Sequence, residues 1–198
     1  MGFGSMNLHA SAIDELNAWQ PPSPAQRVLR DAFIRHLAAH ADGTWRTCAP
    51  AHITASAAIL DPTRRAVLLV LHGKVGRWLQ PGGHCEPEDA TLGAAALREA
   101  SEESGIRGLR LLPGILQVDR HPAPCNPGVV EEHLDVRYPV IASPGAEPMV
   151  SAESDAVRWF GWDSLPSDIE PTFIQMLEAA RGRLAIGHHV QTDPEGAD

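Results

Sequence analysis

The sequence predicts one mixed α/β domain, in which a mixed β-sheet is sandwiched between helices, with a helical extension at the N-terminus. The chain of 198 residues is long enough for one domain with a substantial core and too short for two large enzymatic domains. Strand-like and helix-like segments alternate from about residue 52, and a glycine-rich turn joins a strand to the most strongly helical segment. We expect residues 1–50 to form the extension, 51–183 the main domain and 184–198 a polar tail.

Two short helices are predicted in the extension. Residues 1–5 look like an expression remnant before a start at Met6. The apolar spacing of residues 8–19 predicts a helix that the proline-rich segment 20–24 must end. Ser23 as N-cap and Pro24 at the first helical position predict a second helix, with an apolar stripe that begins at Val28. The extension carries no recognisable chemistry, and its role is left open between covering the site and forming a homodimer contact.

Strand patterns dominate the central region. Residues 53–60 and 66–71 flank an Asp-Pro-Thr turn and predict a hairpin. The segment 78–80 leads into a loop at Pro81-Gly82-Gly83, and a helix is predicted over 90–104 with Gly105 at its C-cap. Further strands are predicted over 109–119, 131–140 and 156–162, then a helix over 171–181. The proline-rich stretch 121–127 is predicted to be a loop.

Charge and composition exclude several classes of function. Twenty-five acids against 16 bases give a net charge of −9, which argues against a polynucleotide partner because binding a phosphate backbone requires a basic surface. Three cysteines at irregular spacing argue against a disulfide framework and favour a cytoplasmic, reducing setting. No apolar run approaches the roughly 20 residues of a membrane-spanning helix, and we find no secretory signal.

Three glutamates in the helix predicted over 90–104 carry the main chemical signal. Glu99, Glu102 and Glu103 fall at i, i+3 and i+4, which places their carboxylates on one helix face. Seen alone, such a cluster is more often a solvated acidic face. Like charges this close repel one another, however, and Mg²⁺ is usually held by one or two carboxylates together with substrate phosphates. The cluster is therefore a candidate Mg²⁺ or Mn²⁺ site for phosphate chemistry.

The segment around these glutamates resembles the signature of the Nudix hydrolases, G-x5-E-x7-R-E-U-x-E-E-x-G-U, in which U is a bulky aliphatic residue. Seven of the nine specified positions match: Gly83, Arg98, Glu99, Glu102, Glu103, Gly105 and Ile106. Asp89 stands where the signature has its first glutamate, and eight residues instead of seven separate it from Arg98. Glu86 and Glu88 are rival carboxylates for its role. Ala100 occupies the first aliphatic position.

The resemblance implies a Nudix fold and a Mg²⁺-dependent pyrophosphohydrolase that cleaves the diphosphate bridge of a nucleoside diphosphate linked to another moiety. ADP-ribose or a nucleotide sugar is the preferred substrate, a nucleoside triphosphate the second choice and a capped RNA end the third. Glu102 and Glu103 are implied metal ligands, Glu99 a further ligand or the catalytic base, and Arg98 the ion-pair partner that holds the glutamates. Gly83 is implied to let the backbone turn beside the phosphates. The alternative is a catalytically silent Nudix-fold module that binds a nucleotide, and the intact glutamate set favours the enzyme.

Further metal ligands are sought outside the signature. Glu131 and Glu132 are candidates for a fourth ligand, with solvation of an edge strand as an equal alternative. A zinc site is disfavoured because the chain has no CxxC motif or paired-ligand spacing. The residues that such a site would use are His84, Cys85, His121 and Cys125.

Candidate substrate contacts lie on both sides of the signature. They are Gln80, Gly83, His84, His133 and Arg137. The strand over 131–140 alternates apolar and polar residues, so His133, Asp135 and Arg137 share its polar face. A ladder of cross-strand pairs on the surface is a slightly better explanation of that face than substrate binding.

Overall fold

The computed structural model of the protein describes residues 8–63, 65–73, 76–123, 131–151 and 154–187. An eight-stranded mixed sheet lies at its centre, with helices on both faces. This arrangement confirms the predicted mixed α/β architecture. The helices are α1 (Leu8–Ala18), α2 (Pro24–Ala39), α3 (Leu92–Ser104) and α4 (Pro171–Gly187). The strands are β1 (Ala51–Leu60), β2 (Ala66–His72), β3 (Arg77–Leu79), β4 (Gly82–His84), β5 (Arg110–Leu111), β6 (Gln117–Ala123), β7 (Glu131–Ile141) and β8 (Ser154–Gly161).

Strand β1 is the centre of the sheet, and all ten of its residues are buried. It runs parallel to β7 along its whole length, from the pair Ala51–Glu132 to the pair Leu60–Ile141. Its last residues pair with β2 in the predicted hairpin, and residues 54–56 pair antiparallel with β4. Three strands of different sequence position therefore lie side by side near the start of β1.

The two faces of β1 pack against different helices because successive side chains of a strand point to opposite sides. Ile53 and Ala55 lie in one hydrophobic cluster with residues of α3 and of the N-terminal helices. Ala58 and Leu60 lie in another cluster with Phe173 and its neighbours in α4. The sheet is thus held between α1, α2 and α3 on one side and α4 on the other.

The N-terminal helices pack onto the same core as the sheet. Leu16 and Phe33 are completely buried in the cluster that contains Ile53. Ser23 caps α2 as predicted, since its side chain accepts a hydrogen bond from the backbone N–H of Gln26. Val28, predicted to belong to the apolar stripe, is instead 66% exposed.

Several predicted boundaries were wrong. Gly82–His84, predicted to be a loop, form strand β4 because β1 offers them backbone partners. The strand predicted over 109–119 divides into β5 and β6 around Pro113, since proline cannot donate to a strand ladder. Strand β6 continues to Ala123, into the predicted proline-rich loop, and residues 124–130 lie outside the described residues, as does the tail from 188. Among the described helices, none has the length and apolar character needed to cross a membrane.

Candidate active site

The start of α3 is held in place by both the sheet and the N-terminal extension. Thr91 is the N-cap, and its hydroxyl accepts a hydrogen bond from the Ala94 N–H at 3.0 Å. A carboxylate oxygen of Glu15, in α1, accepts from the Leu92 N–H at 2.9 Å, and its other oxygen accepts from the Tyr138 hydroxyl at 2.7 Å. A negative charge at a helix N-terminus is stabilising. The extension therefore fixes the helix that carries the candidate site.

Arg98 is the centre of the candidate site. Its guanidinium donates twice to Asp89, at 3.2 and 3.0 Å, and also to Glu99 at 3.0 Å and Glu102 at 3.2 Å. A fifth hydrogen bond reaches the backbone carbonyl of His84 at 2.9 Å. Burial disfavours the charged form, but the hydrogen bonds from Asp89 and Glu99 outweigh it and raise the pKa of Arg98. The residue is a permanent cation that joins the helix to the strand before it.

The three glutamates of α3 have different surroundings. Glu103 is 7% exposed, and its carboxylate accepts a hydrogen bond from the Gly82 N–H at 3.3 Å. Glu99 lies against Gly83 so closely that a Cβ at that glycine would come within 2.6 Å of the Glu99 Oε1. The side chain of Glu102 is 60% exposed and contacts Arg98. Side chains larger than hydrogen at position 83 would therefore displace the Glu99 carboxylate.

The glutamates do not converge on one point in this arrangement. In the described part of the chain, they are not among the groups of three ligating side chains whose donor atoms lie within 4.8 Å of one another. Glu99 and Glu102 turn toward Arg98, and Glu103 turns toward the backbone of β4. Mutual repulsion favours such divergence when no cation lies between carboxylates. Their oxygen donors nevertheless fit a hard divalent cation, since the three carboxylates share one helix face and one guanidinium cannot neutralise them.

The polar face of β7 is buried rather than solvent-exposed. Arg137 is 3% exposed, and it donates to Asp135 at 2.8 Å, Asp119 at 2.7 Å and Gln117 at 2.9 Å. The Asp135 carboxylate also accepts from two hydroxyl groups of β1. Cross-strand pairing thus explains these residues, but inside the protein, where an unpaired charge would be far more destabilising than on the surface. The engagement of the Arg137 guanidinium argues against its direct contact with a substrate.

The two candidate histidines lie together on the same face of the sheet. His84 and His133 have ring centroids 5.1 Å apart, and His52 lies 5.1 Å from the first and 5.0 Å from the second. Sequence reasoning missed His52. The available signal was the polar spacing of His52, Thr54 and Ser56 at the start of an otherwise apolar strand.

The remaining candidates lie apart from the glutamates or outside the described residues. Gln80 is half-buried in the turn after β3. Glu132 forms an ion pair with Arg120 near the surface, in agreement with the solvated alternative. The side chain of Glu131 and all of Cys125 fall outside the described residues. Burial, followed by the charge of Asp89, raises the pKa of the Cys85 thiol to about 12.

The geometry agrees with a comparison against known families. The model of the NUDIX domain matches residues 50–180, which is more than half of the chain. The chain belongs to the Nudix family. It is therefore a hydrolase of the class that acts on phosphoric anhydrides, and Nudix hydrolases generally use divalent metal ions. Which cation this enzyme uses and which anhydride it cleaves are questions for its own residues.

Solved structures agree on the Nudix fold. An Ap4A hydrolase from C. elegans is 18% identical, with 67% of this chain and 97% of that chain covered and a TM-score of 0.53. The MutT protein from Methanosarcina mazei Go1 is 20% identical, with 68% and 96% covered and a TM-score of 0.50. An ADP-ribose pyrophosphatase from Streptococcus suis is 23% identical, with 65% and 91% covered and a TM-score of 0.47.

The departure at Asp89 has a structural explanation in this Nudix domain. The Asp89 side chain is 5% exposed, and both of its oxygens accept hydrogen bonds from Arg98. One of them also accepts from the Glu86 N–H at 2.8 Å. The carboxylate thus reaches the arginine despite the additional residue between them. Glu86 approaches Arg98 only to 3.8 Å, so Asp89 is the closer of the two partners.

Proposed function

We propose that this Nudix hydrolase cleaves the diphosphate bridge of a nucleoside diphosphate linked to another moiety, with Mg²⁺ as its cation. The observation that supports the proposal best is the complete glutamate set on α3, held by Arg98 beside the backbone of Gly82 and Gly83. ADP-ribose or a nucleotide sugar is the preferred substrate class, and a nucleoside triphosphate is the second. Mn²⁺ offers the same preference for oxygen ligands as Mg²⁺ and is expected to replace it.

Each residue of the set has a proposed role. Glu102 and Glu103 hold the cation, and Arg98 positions Glu99 and Glu102 through its hydrogen bonds. When bound, the cation neutralises the diphosphate and lowers the pKa of a coordinated water. Glu99 either completes the ligand set or accepts the proton from the water that attacks phosphorus. Hydrogen at position 83 leaves the space that the Glu99 carboxylate occupies.

The two roles of Glu99 can be separated by a Glu99→Gln variant. A catalytic base that is removed lowers kcat and abolishes the acidic limb of the pH–rate profile, while the Mg²⁺ concentration for half-maximal activity stays the same. A ligand that is removed raises that Mg²⁺ concentration first, because one anionic donor is lost.

Substrate contacts are proposed on the strands beside the glutamates. Gln80 follows β3, and His84 follows Gly83 in β4, so both lie next to the proposed phosphate site. His133 lies beside His84 on the same sheet face. Arg137 acts through Asp135 and Asp119, which it orients, and its replacement would disturb this face as a whole.

A substrate panel tests the proposed activity. The panel contains ADP-ribose, nucleotide sugars, nucleoside triphosphates and Ap4A, the last because the C. elegans protein of the same fold is an Ap4A hydrolase. Products are separated by chromatography with Mg²⁺, with Mn²⁺ and with excess EDTA. We expect cleavage of a diphosphate-linked nucleotide in both metals and none in EDTA. Binding of these nucleotides without cleavage would instead establish the silent binding module.

The setting of the enzyme is also proposed. Six acids against one base in residues 81–105 concentrate −5 of the net charge of −9 in the signature region. The rest of the chain is close to neutral, which fits a small phosphorylated substrate better than a polynucleotide. We retain a cytoplasmic location and a homodimer as predictions, which fractionation and light scattering would test.

A further inference from the structure

Three histidines from neighbouring strands form a compact group on one face of the sheet. His52 lies at the start of β1, His84 at the end of β4 and His133 in β7. His52 and His133 are direct partners in the parallel pairing of β1 with β7, and His84 pairs with Thr54, two residues along β1. The register of three strands therefore places these imidazoles together, although they are far apart in sequence.

The ring nitrogens are close enough for a shared ion. One nitrogen from each ring lies within 4.8 Å of the other two. Tetrahedral Zn²⁺ has Zn–N distances of about 2.0–2.1 Å, which corresponds to nitrogens about 3.3 Å apart. Small rotations about the side-chain bonds close this difference. The triangle of rings thus has nearly the dimensions of a three-histidine site.

The surroundings hold these rings in the form that binds metal. Burial, reinforced by the neighbouring His84, His121 and His52, lowers the pKa of His133 to about 3. A neutral imidazole is the form that binds a metal ion. The Nδ1 atom of His52 lies 3.3 Å from the carbonyl oxygen of Cys48. Such a contact to a backbone carbonyl fixes the tautomer that presents Nε2 as the metal-binding nitrogen.

We infer that His52, His84 and His133 bind one divalent transition-metal ion of the zinc class, with a coordination position left open toward solvent. Nitrogen donors favour Zn²⁺ over Mg²⁺, so this site is chemically distinct from the glutamates of α3. His52 is completely buried, whereas His84 and His133 are half-buried, so the ion reaches the site from their side. The inference does not rest on the proposed substrate.

The position of this histidine site gives the ion a role beside the glutamates. His84 directly follows Gly83, whose backbone faces the Glu99 carboxylate, and its own carbonyl oxygen accepts a hydrogen bond from Arg98. An ion on the imidazoles adds positive charge next to the proposed phosphate site. The open coordination position can accept a phosphate oxygen or a water.

A second group in the described residues, formed by His40, Asp42 and Cys48, is the natural comparison. The thiolate is the form of cysteine that binds metal. Burial and a hydrogen bond with Asp42 raise the pKa of Cys48 to about 11, which keeps the thiol protonated at neutral pH. The histidine group has no such obstacle, so Cys48→Ala is a suitable control.

The test uses Co²⁺ as a spectroscopic substitute for Zn²⁺ in the full-length protein. The protein is stripped with EDTA, dialysed into excess Mg²⁺ to occupy carboxylate sites, and titrated with Co²⁺. Four- or five-coordinate Co²⁺ on nitrogen ligands gives strong visible bands, whereas octahedral Co²⁺ on carboxylates gives weak ones. We expect one equivalent of Co²⁺ with strong bands, which one equivalent of Zn²⁺ removes by competition.

Variants identify the ligands. His84→Ala and His133→Ala should each lose the strong bands and weaken Co²⁺ binding at least about a hundredfold, since even outer-shell changes weaken metal sites by about 10–100-fold. Cys48→Ala and Glu103→Gln should keep the bands. Bands that persist in both histidine variants, or that vanish in Cys48→Ala, would overturn the inference. Circular dichroism shows whether each variant is folded, and either folded histidine variant decides the result.

A measurement on the unaltered protein provides an independent decision. Diethyl pyrocarbonate modifies accessible imidazoles, and peptide mapping by mass spectrometry locates the modified rings. One equivalent of Zn²⁺ should protect His84 and His133 and leave the modification of His72, in β2, unchanged. Equal modification of the first two with and without Zn²⁺ would refute the site without any substitution.

Discussion

Replacing Glu103 with glutamine removes a negative charge from the proposed cation site and keeps the volume of the side chain. Glu103 is 7% exposed, and its structural contact is the hydrogen bond that it accepts from the Gly82 N–H at 3.3 Å. A glutamine oxygen can accept the same bond. We therefore expect the free energy of unfolding to change by less than about 1 kcal/mol, the ordinary net worth of one hydrogen bond.

The effect of Glu103→Gln on activity should be much larger. Two unit charges about 4 Å apart near a protein surface interact by about 4 kcal/mol. At about 1.4 kcal/mol for each factor of ten, the loss of that interaction with the bound cation lowers kcat/KM about a thousandfold. The assay is hydrolysis of the best panel substrate over a range of Mg²⁺ concentrations, together with urea unfolding of the same sample.

The matched control for Glu103→Gln is Glu178→Gln, the same chemical change on an exposed position of α4. This control should retain full activity and stability. Wild-type activity in folded Glu103→Gln would refute the assignment of the glutamates. A loss of stability well above 1 kcal/mol would refute the argument that glutamine preserves the contact with Gly82.

Three further predictions test other contacts of the site. Gly83→Ala places a Cβ within 2.6 Å of the Glu99 Oε1, and should lower kcat about a hundredfold because a displacement of about 1 Å has an effect of that size. Asp89→Ala leaves the Arg98 guanidinium without its doubly hydrogen-bonded, buried partner, and should lower the free energy of unfolding by about 3 kcal/mol in a urea titration. The pKa of Cys85, raised to about 12 by burial, should make its alkylation by iodoacetamide at pH 8 at least about a hundredfold slower in the folded protein than in urea.

Each of these three predictions has a control. Gly182→Ala should be neutral, since nothing lies within 4 Å of the added Cβ, and equal activity of the two alanine variants would contradict the crowding argument. Glu170→Ala removes the exposed ion pair with Arg77 and should lower stability by no more than about 1 kcal/mol. A similar loss for Asp89→Ala would show that its burial adds nothing. Rapid alkylation of Cys85 in the folded protein would contradict its burial.

The elements closest to the signature were predictable because their signals are local. Ser23 and Gly105 end their helices as expected, since caps depend on the backbone groups of a few adjacent residues. The spacing of the glutamates on α3 follows from helical geometry alone. Their separate orientations did not follow, because Glu103 turns toward Gly82, in a strand that the sequence suggested was a loop.

The polar residues of the sheet were predictable as a pattern and not as a structure. Alternation correctly placed His133 and Arg137 on one face of β7. Their burial and partners depend on the strands beside β7, and pairing between distant strands has no local signal. For that reason Asp119 and His52 entered the description only when the register of β1, β6 and β7 was known.

By itself, the sequence determined the family resemblance, the helix that carries the glutamates and the class of chemistry, since these depend on residue types and on spacing within one turn of a helix. Only the tertiary structure decided that Asp89 pairs with Arg98, that Glu15 holds the start of α3 and that three histidines form one group. The physical reason is that such contacts arise when strands pair and layers pack, and residues distant in the chain then become neighbours.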